Sequence, residues 1–446
     1  MCSEPRTSWH PDRSWADPLI TLLALLALLA AGFTLRARQA GAQRPAERAS
    51  LQGRMLEVAL AGPRLLVRRE VVAKDWAKAE TQLKEPWDRA LLAVLRAELN
   101  DGNGNAVCPP VTVTPAGTPG DRFRRVCLAA YAGAPLPART DRDEVHRRLG
   151  NGYAADLLEA RLLDREGRGE DLRTQARRAL TIRLAGVGLL GTLALGMATG
   201  GLALGIYLLA TRKTTLPPPL PEWSLSGRAA TLVLLGWFLA FFLSGSLVAP
   251  LLAPWPGLRW LALPLGYLLH ATFGLGLLCR AEGITPAALW RRVAPGPLRH
   301  DLAWGGGYLA LAVLLVFAVA LASTVVLRPE QSPQRDLQEL LRSLSGWAPN
   351  LALFFTVAGL APAFEELLFR GFLLPVLARG GRMAAALAIS ALLFGAIHLQ
   401  PLGLPVLCTL GLVMGLAMRQ TGSLRTPILV HASWNGCLFL LMRAFA

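Results

Sequence analysis

The stretch "LAPAFEELLFRGFLL", residues 360–374, carries two adjacent glutamates and an arginine inside an apolar run. An ionisable side chain at mid-bilayer costs roughly 2.5 kcal/mol or more, so a span that keeps three of them is usually using them. On a helix Glu365 and Glu366 point about 100° apart and so take different roles. Glu366 and Arg370 stand at i and i+4, the spacing of an intrahelical ion pair. Such a pair neutralises both partners and leaves Glu365 as the reactive carboxylate. Three of the six histidines also lie in apolar stretches: His270, His398 and His431. His398 ends "FGAIHLQP", four residues after Phe394 and on the same helical face. His431 opens "HASWN", which puts Asn435 at i+4 on its own face. A carboxylate to activate water, imidazoles to move protons and an amide to stabilise an oxyanion suit peptide hydrolysis. Glu365, His398 and His431 are equally candidate ligands for a divalent metal such as zinc, which would hold the attacking water. No HExxH is present to favour that second chemistry.

These side chains meet only if several apolar segments bring them together. The chain has 446 residues, 53% hydrophobic and 17% charged, with a mean hydropathy of +0.40. That balance places most of it in a lipid bilayer. Spanning candidates occur near 18–35, 184–210, 229–252, 258–279, 303–327, 349–378, 384–398, 404–418 and 426–442. The expected fold is therefore all-α, a polytopic membrane protein with about nine transmembrane helices and one inserted polar helical domain. The first run reads as an uncleaved anchor, because no small-residue cleavage site follows it cleanly. "TLPPPLPEW", residues 215–223, reads as a stiff proline-rich connector. Glycine-rich "GVGLLGTLALGMATGG" suits close helix packing. One geometric difficulty arises. With one crossing per segment, His398 falls late in its helix and His431 early in a helix of the same direction, about 10 Å apart in depth. A short, tilted or re-entrant 384–398 segment removes the mismatch.

Residues 36–183 are polar and helical in pattern. "EPWDRALLAVLRAEL" lines up Trp87, Leu91, Leu95 and Leu99, with Pro86 in the first turn. "YAADLLEARLLDRE" makes a second amphipathic helix, and the Gly-, Pro- and Asn-rich stretch between the two reads as a loop. His146, in a charged helix, reads as a solvated surface residue. The expected divisions are 1–35 (tail and anchor), 36–183 (extramembrane domain), 184–344 (membrane helices) and 345–446 (catalytic core). The net charge of +16 is almost wholly arginine. Without a basic helix carrying interleaved aromatics, it marks cytoplasmic loops and lipid headgroups, not a nucleic-acid partner. Segments 1–17, 212–228, 280–302, 379–382 and 419–425 hold most of the short-loop Lys and Arg. That places the N-terminus in the cytoplasm and the 36–183 domain outside it, where Cys108 and Cys127 would be able to pair. None of the six cysteines forms a CxxC pair, so no thiolate zinc site is expected.

"APAFEELLFRG", "FGAIH" and "HASWN" together resemble the EExxxR, FxxxH and HxxxN motifs of the CAAX prenyl endopeptidase and bacteriocin-processing (CPBP, or Abi) family of intramembrane proteases. They occur in that family's order over roughly residues 345–442. The resemblance implies that Glu365 activates water with His398 assisting, and that His431 and Asn435 bind the oxygen of the tetrahedral intermediate. It leaves a metal open, since members are commonly labelled metalloproteases while the eukaryotic prenyl-protein member is described as glutamate-dependent without catalytic zinc.

The sequence thus points to a CAAX-protease-like membrane endopeptidase of the bacterial plasma membrane. Its site set is Glu365, Glu366, Arg370, His398, His431 and Asn435, and its partners are the lipid bilayer and a peptide or membrane-protein substrate. The alternative is a non-catalytic membrane scaffold or bacteriocin-immunity factor with the same fold. His270 matches no motif and reads as a packing or interfacial residue.

Overall fold

The computed structural model describes residues 53, 56–62, 73–83, 86–99, 115–150, 152–211, 217–327, 341, 344 and 346–445. All regular structure among them is helical. The chain divides into two compact units, one centred on residues 42–196 and the other on 197–333 and 343–439.

The first unit contains α1 (Ala73–Gln82), α2 (Pro86–Leu99), α3 (Pro119–Tyr131), α4 (Arg139–Leu149), α5 (Tyr153–Leu163) and the start of α6 (Gly169–Thr211). The face expected on α2 is the one buried, with Trp87, Leu91, Leu95 and Leu99 all inside. Trp87 meets Phe123 of α3 edge-on at 5.9 Å. Thr118 caps α3 by accepting from Asp121 N, and Pro119 occupies the first turn, where no N–H is needed. His146 does not stand in open solvent. It is half-buried, with Nε2 3.0 Å from Asp156 Oδ1, because α4 lies along α5. Cys127 is buried, whereas Cys108 lies outside the described residues, so the pairing considered above falls outside them too.

Six described helices are long and apolar enough to cross a bilayer: Gly169–Thr211, Gly227–Leu252, Gly257–Glu282, Leu298–Ser323, Trp347–Leu377 and Leu404–Thr421. The protein is an all-α polytopic integral membrane protein. Of the remaining apolar runs, 18–35 lies outside the described residues, 384–398 forms the shorter helix Met383–Ala396, and 426–442 lies in Arg425–Phe445. In chain order the second unit holds the end of α6, then α7 (Gly227–Leu252), α8 (Ala262–Glu282), α9 (Pro286–Val293) and α10 (Leu298–Leu327). After these come α11 (Trp347–Leu377), α12 (Met383–Ala396), α13 (Leu404–Thr421) and α14 (Arg425–Phe445), the last as far as Phe439.

The shortness of α12 answers the depth problem. Its 14 residues rise about 21 Å, less than the roughly 30 Å hydrocarbon core. The chain then turns through residues 397–403, with Leu399 at φ 53°, and returns as α13. Glycine brings these two helices into backbone contact. A Cβ on Gly411 would lie 3.1 Å from Ala391 Cα and 3.2 Å from Phe394 Cδ1, and one on Gly395 would lie 2.7 Å from Cys408 Sγ. Gly411→Val is accordingly expected to destabilise the protein by about 1–3 kcal/mol through overpacking, read as a lowered Tm in detergent.

The proline-rich connector is pinned to the core. Glu282 accepts from the backbone N–H groups of Ser224 (2.8 Å) and Leu225 (3.1 Å), and Arg379 donates to the carbonyls of Leu225 (2.8 Å) and Trp223 (2.7 Å). The start of α14 is fixed by buried Asp301, which accepts from Arg425 Nε at 2.6 Å and Thr426 Oγ1 at 3.1 Å. That anchor sets the register of His431, five residues past Thr426.

Candidate active site

The glutamates sit on α11, which is not a regular helix. It widens into π-helical turns over Thr356–Leu360 and Leu367–Leu373, with an α-helical segment, Ala361–Glu366, between them. Proline supplies the physical reason. Pro362 and Pro375 each follow a π turn by two residues, and neither can donate the N–H that a continuing helix requires. The carbonyls released are taken up by side chains from other elements. In the wider register Pro362 would have donated to Val357 O, and Asn435 Nδ2 of α14 does so instead at 3.0 Å. Near Pro375, Gly371 O accepts from the Trp223 indole at 3.1 Å, while Phe369 O, which already receives the Leu374 N–H, takes a second donor in Ser390 Oγ at 3.3 Å. The helix carrying the glutamates is thus held from three directions.

Glu366 and Arg370 form the expected i, i+4 pair at 2.7 Å, and both are fully buried. Arg370 also donates to Gly411 O of α13 at 2.8 Å, and its guanidinium lies 4.5 Å from the centre of the Phe394 ring. Glu366 Oε1 has a second partner in His431 Nδ1 at 2.9 Å. Glu366 Oε2 and Arg370 Nε have no hydrogen-bond partner among the described residues.

Glu365 faces a different set. Its Oε1 accepts from the Tyr267 hydroxyl of α8 at 3.1 Å, and its Oε2 stands 4.0 Å from His431 Nε2. The 100° separation does not send the two carboxylates to separate neighbourhoods. They address opposite nitrogens of one imidazole, because the His431 ring lies between them. His398 is half-buried just past the end of α12, with Nδ1 2.8 Å from Phe394 O. Donation from Nδ1 to that carbonyl leaves Nε2 as the acceptor nitrogen. Phe394 lies between the two histidines, 5.1 Å from His398 and 5.5 Å from His431 by ring centres. Glu365, Glu366, Arg370, His398 and His431 are linked through the His431 and Phe394 rings, while Asn435 meets α11 two turns earlier, at Val357 O.

Residues 347–437 match the model of the type II CAAX prenyl endopeptidase Rce1-like family. No curated protein and no solved structure matches the chain. The Rce1-like segment contains all six residues named above and the two π turns. It is a CAAX-protease-like region in a membrane protein, and it is the grouping that the three motifs resemble.

A metal was the alternative use of Glu365, His398 and His431. Among the described residues no three His, Cys, Asp or Glu side chains are grouped to hold an ion. His431 Nδ1 is engaged by Glu366, and its Nε2 faces Glu365 Oε2 across 4.0 Å.

Tyr267 escaped the sequence reading. It belongs to no motif and lies outside the Rce1-like segment. A signal was nevertheless present, because Tyr267 falls mid-way along the 258–279 run. Tyrosines of membrane spans gather near the headgroups, so one at the centre needs a polar partner. His270 is buried beside it, with ring centres 4.9 Å apart and Nδ1 3.1 Å from Gly266 O.

Proposed function

We propose that this protein is an intramembrane endopeptidase that hydrolyses a peptide bond within or beside the bilayer. The observation that carries this reading is the division of the glutamates. Glu366 is held by Arg370 and His431, while Glu365 keeps one oxygen directed toward His431 Nε2 across 4.0 Å. That is a distance one water can bridge.

In the proposed reaction Glu365 takes a proton from water as the oxygen attacks the carbonyl carbon, with His398 assisting. The oxyanion is received by the second N–H of Asn435, whose first is committed to Val357 O, and by His431 when its Nε2 carries a proton beside the Nδ1–H held by Glu366. The carbon–nitrogen bond then breaks, and the proton held at Glu365 passes to the leaving amine. Glu366 keeps the His431 ring oriented through Nδ1, a positioning role that Arg370 secures.

The substrate is read as a peptide or membrane protein, and the protein as resident in a bacterial plasma membrane. The Lys and Arg distribution supports a cytoplasmic N-terminus, an extracytoplasmic 36–183 domain, and division into an anchor, that domain, membrane helices and a protease core from 345. The test compares membrane and secreted peptide N-termini from cells with wild-type protein, Glu365→Gln, or no protein. A cleavage found with wild type alone supports the reading and names the substrate. A variant that matches wild type and rescues a deletion phenotype overturns it in favour of a scaffold.

A further inference from the structure

Glu365 is not positioned by the Rce1-like segment alone. Its Oε1 accepts from Tyr267, which is contributed by α8, 98 residues earlier in the chain. The phenol ring is itself braced. Phe241 of α7 meets Tyr267 edge-on at 6.4 Å and His270 edge-on at 5.2 Å, and His270 is anchored to Gly266 O. The α7–α8 pair that carries all three rings packs closely, because Gly274 leaves room for the Trp237 indole where any Cβ would collide with it.

A glutamate's terminal torsion is broad and roughly two-fold, so an unrestrained carboxylate swings between orientations. A donor on one oxygen removes that freedom and decides which oxygen looks toward the imidazole. We propose that Tyr267 is a positioning residue for Glu365, holding Oε1 so that Oε2 faces His431 and receives the proton from water. This rests on the reading of Glu365 as the water-activating base. It also adds a requirement outside the matched family segment: the α7–α8 pair must be docked for the carboxylate to be aligned. A tyrosine that merely satisfied its own hydroxyl would have the same ring packing, so the test removes the hydroxyl and keeps the ring.

The experiment uses the full-length protein in detergent and a fluorogenic peptide spanning the junction identified by the N-terminal comparison. Tyr267→Phe is expected to lower kcat about 10- to 100-fold with KM changed less than about two-fold, the pattern of a misaligned catalytic group. Adding Tyr267→Phe to Glu365→Gln is expected to cause no further loss, because both act through one carboxylate. A circular-dichroism melt showing Tyr267→Phe folded like wild type accompanies the kinetics. If Glu365→Gln is inactive while folded Tyr267→Phe keeps wild-type kcat, or loses only in KM, this proposal falls and the base assignment stands. If Glu365→Gln cleaves normally, the base assignment itself falls, and this proposal with it.

Discussion

Glu365→Gln is expected to lower peptide-bond hydrolysis by about 10²–10⁴-fold, the range that a positioned general base contributes. The substitution changes the chemistry and little else. A glutamine has the same length and shape, and its amide oxygen can still accept from the Tyr267 hydroxyl that now reaches Glu365 Oε1. The side chain of Glu366, its bond to His431 and its pair with Arg370 are untouched. What disappears is an oxygen able to take a proton opposite His431 Nε2. The measurement is cleavage of the junction peptide in detergent, together with a melt to show that the variant is folded. Full activity in a folded Glu365→Gln protein would remove this residue from the chemistry.

Arg370→Met is expected to cost about 3–5 kcal/mol of stability, the usual result of removing one member of a buried ion pair. Neither Glu366 nor Arg370 reaches solvent, and three interactions depend on the guanidinium: the carboxylate, Gly411 O on α13 and the face of Phe394. Loss of the arginine leaves a buried carboxylate whose remaining hydrogen-bond partner among the described residues is one histidine nitrogen. It also unties α11 from α13. The readouts are Tm and the yield of monodisperse protein in detergent. The double change Glu366→Gln with Arg370→Met removes both charges and is expected to recover a large part of the lost Tm. Activity is not expected to return with it, because His431 Nδ1 then faces a neutral amide. Recovery of both would mean that Glu366 has no role beyond neutralising Arg370.

The two outcomes separate functions that adjacent residues carry. On the proposed reading, the pair Glu365–Glu366 supplies one group whose loss is chemical and one whose partner's loss is structural. The Rce1-like match over residues 347–437 places both within a single family segment, whereas Tyr267 and Trp223, which brace that segment, come from elsewhere in the chain.

Several features were legible because they are local. An i, i+4 spacing fixes a neighbour on any helix, so Glu366–Arg370 and the Phe394–His398 contact were readable from residue numbers alone. The apolar runs announced membrane helices for the same reason, since hydrocarbon obliges a chain to satisfy its own backbone. Other features depended on how proline disturbs a particular turn. Asn435 was expected to serve an oxyanion, yet one of its N–H groups replaces the missing donor of Pro362 at Val357 O. The spacing of HxxxN says nothing about a carbonyl 78 residues earlier.

The sequence by itself determined an all-α membrane protein, the ion pair of α11, and the set of polar side chains that cannot be left alone in lipid. Only the tertiary structure decided that His431 meets the same Phe394 ring as His398, that His431 lies between both carboxylates, and that Tyr267 donates to Glu365. The physical reason is the range of the interactions. Helical periodicity and the cost of charge in hydrocarbon act along the chain, whereas a hydrogen bond between α8 and α11 exists only after glycine contacts and released carbonyls have set the distance between helices.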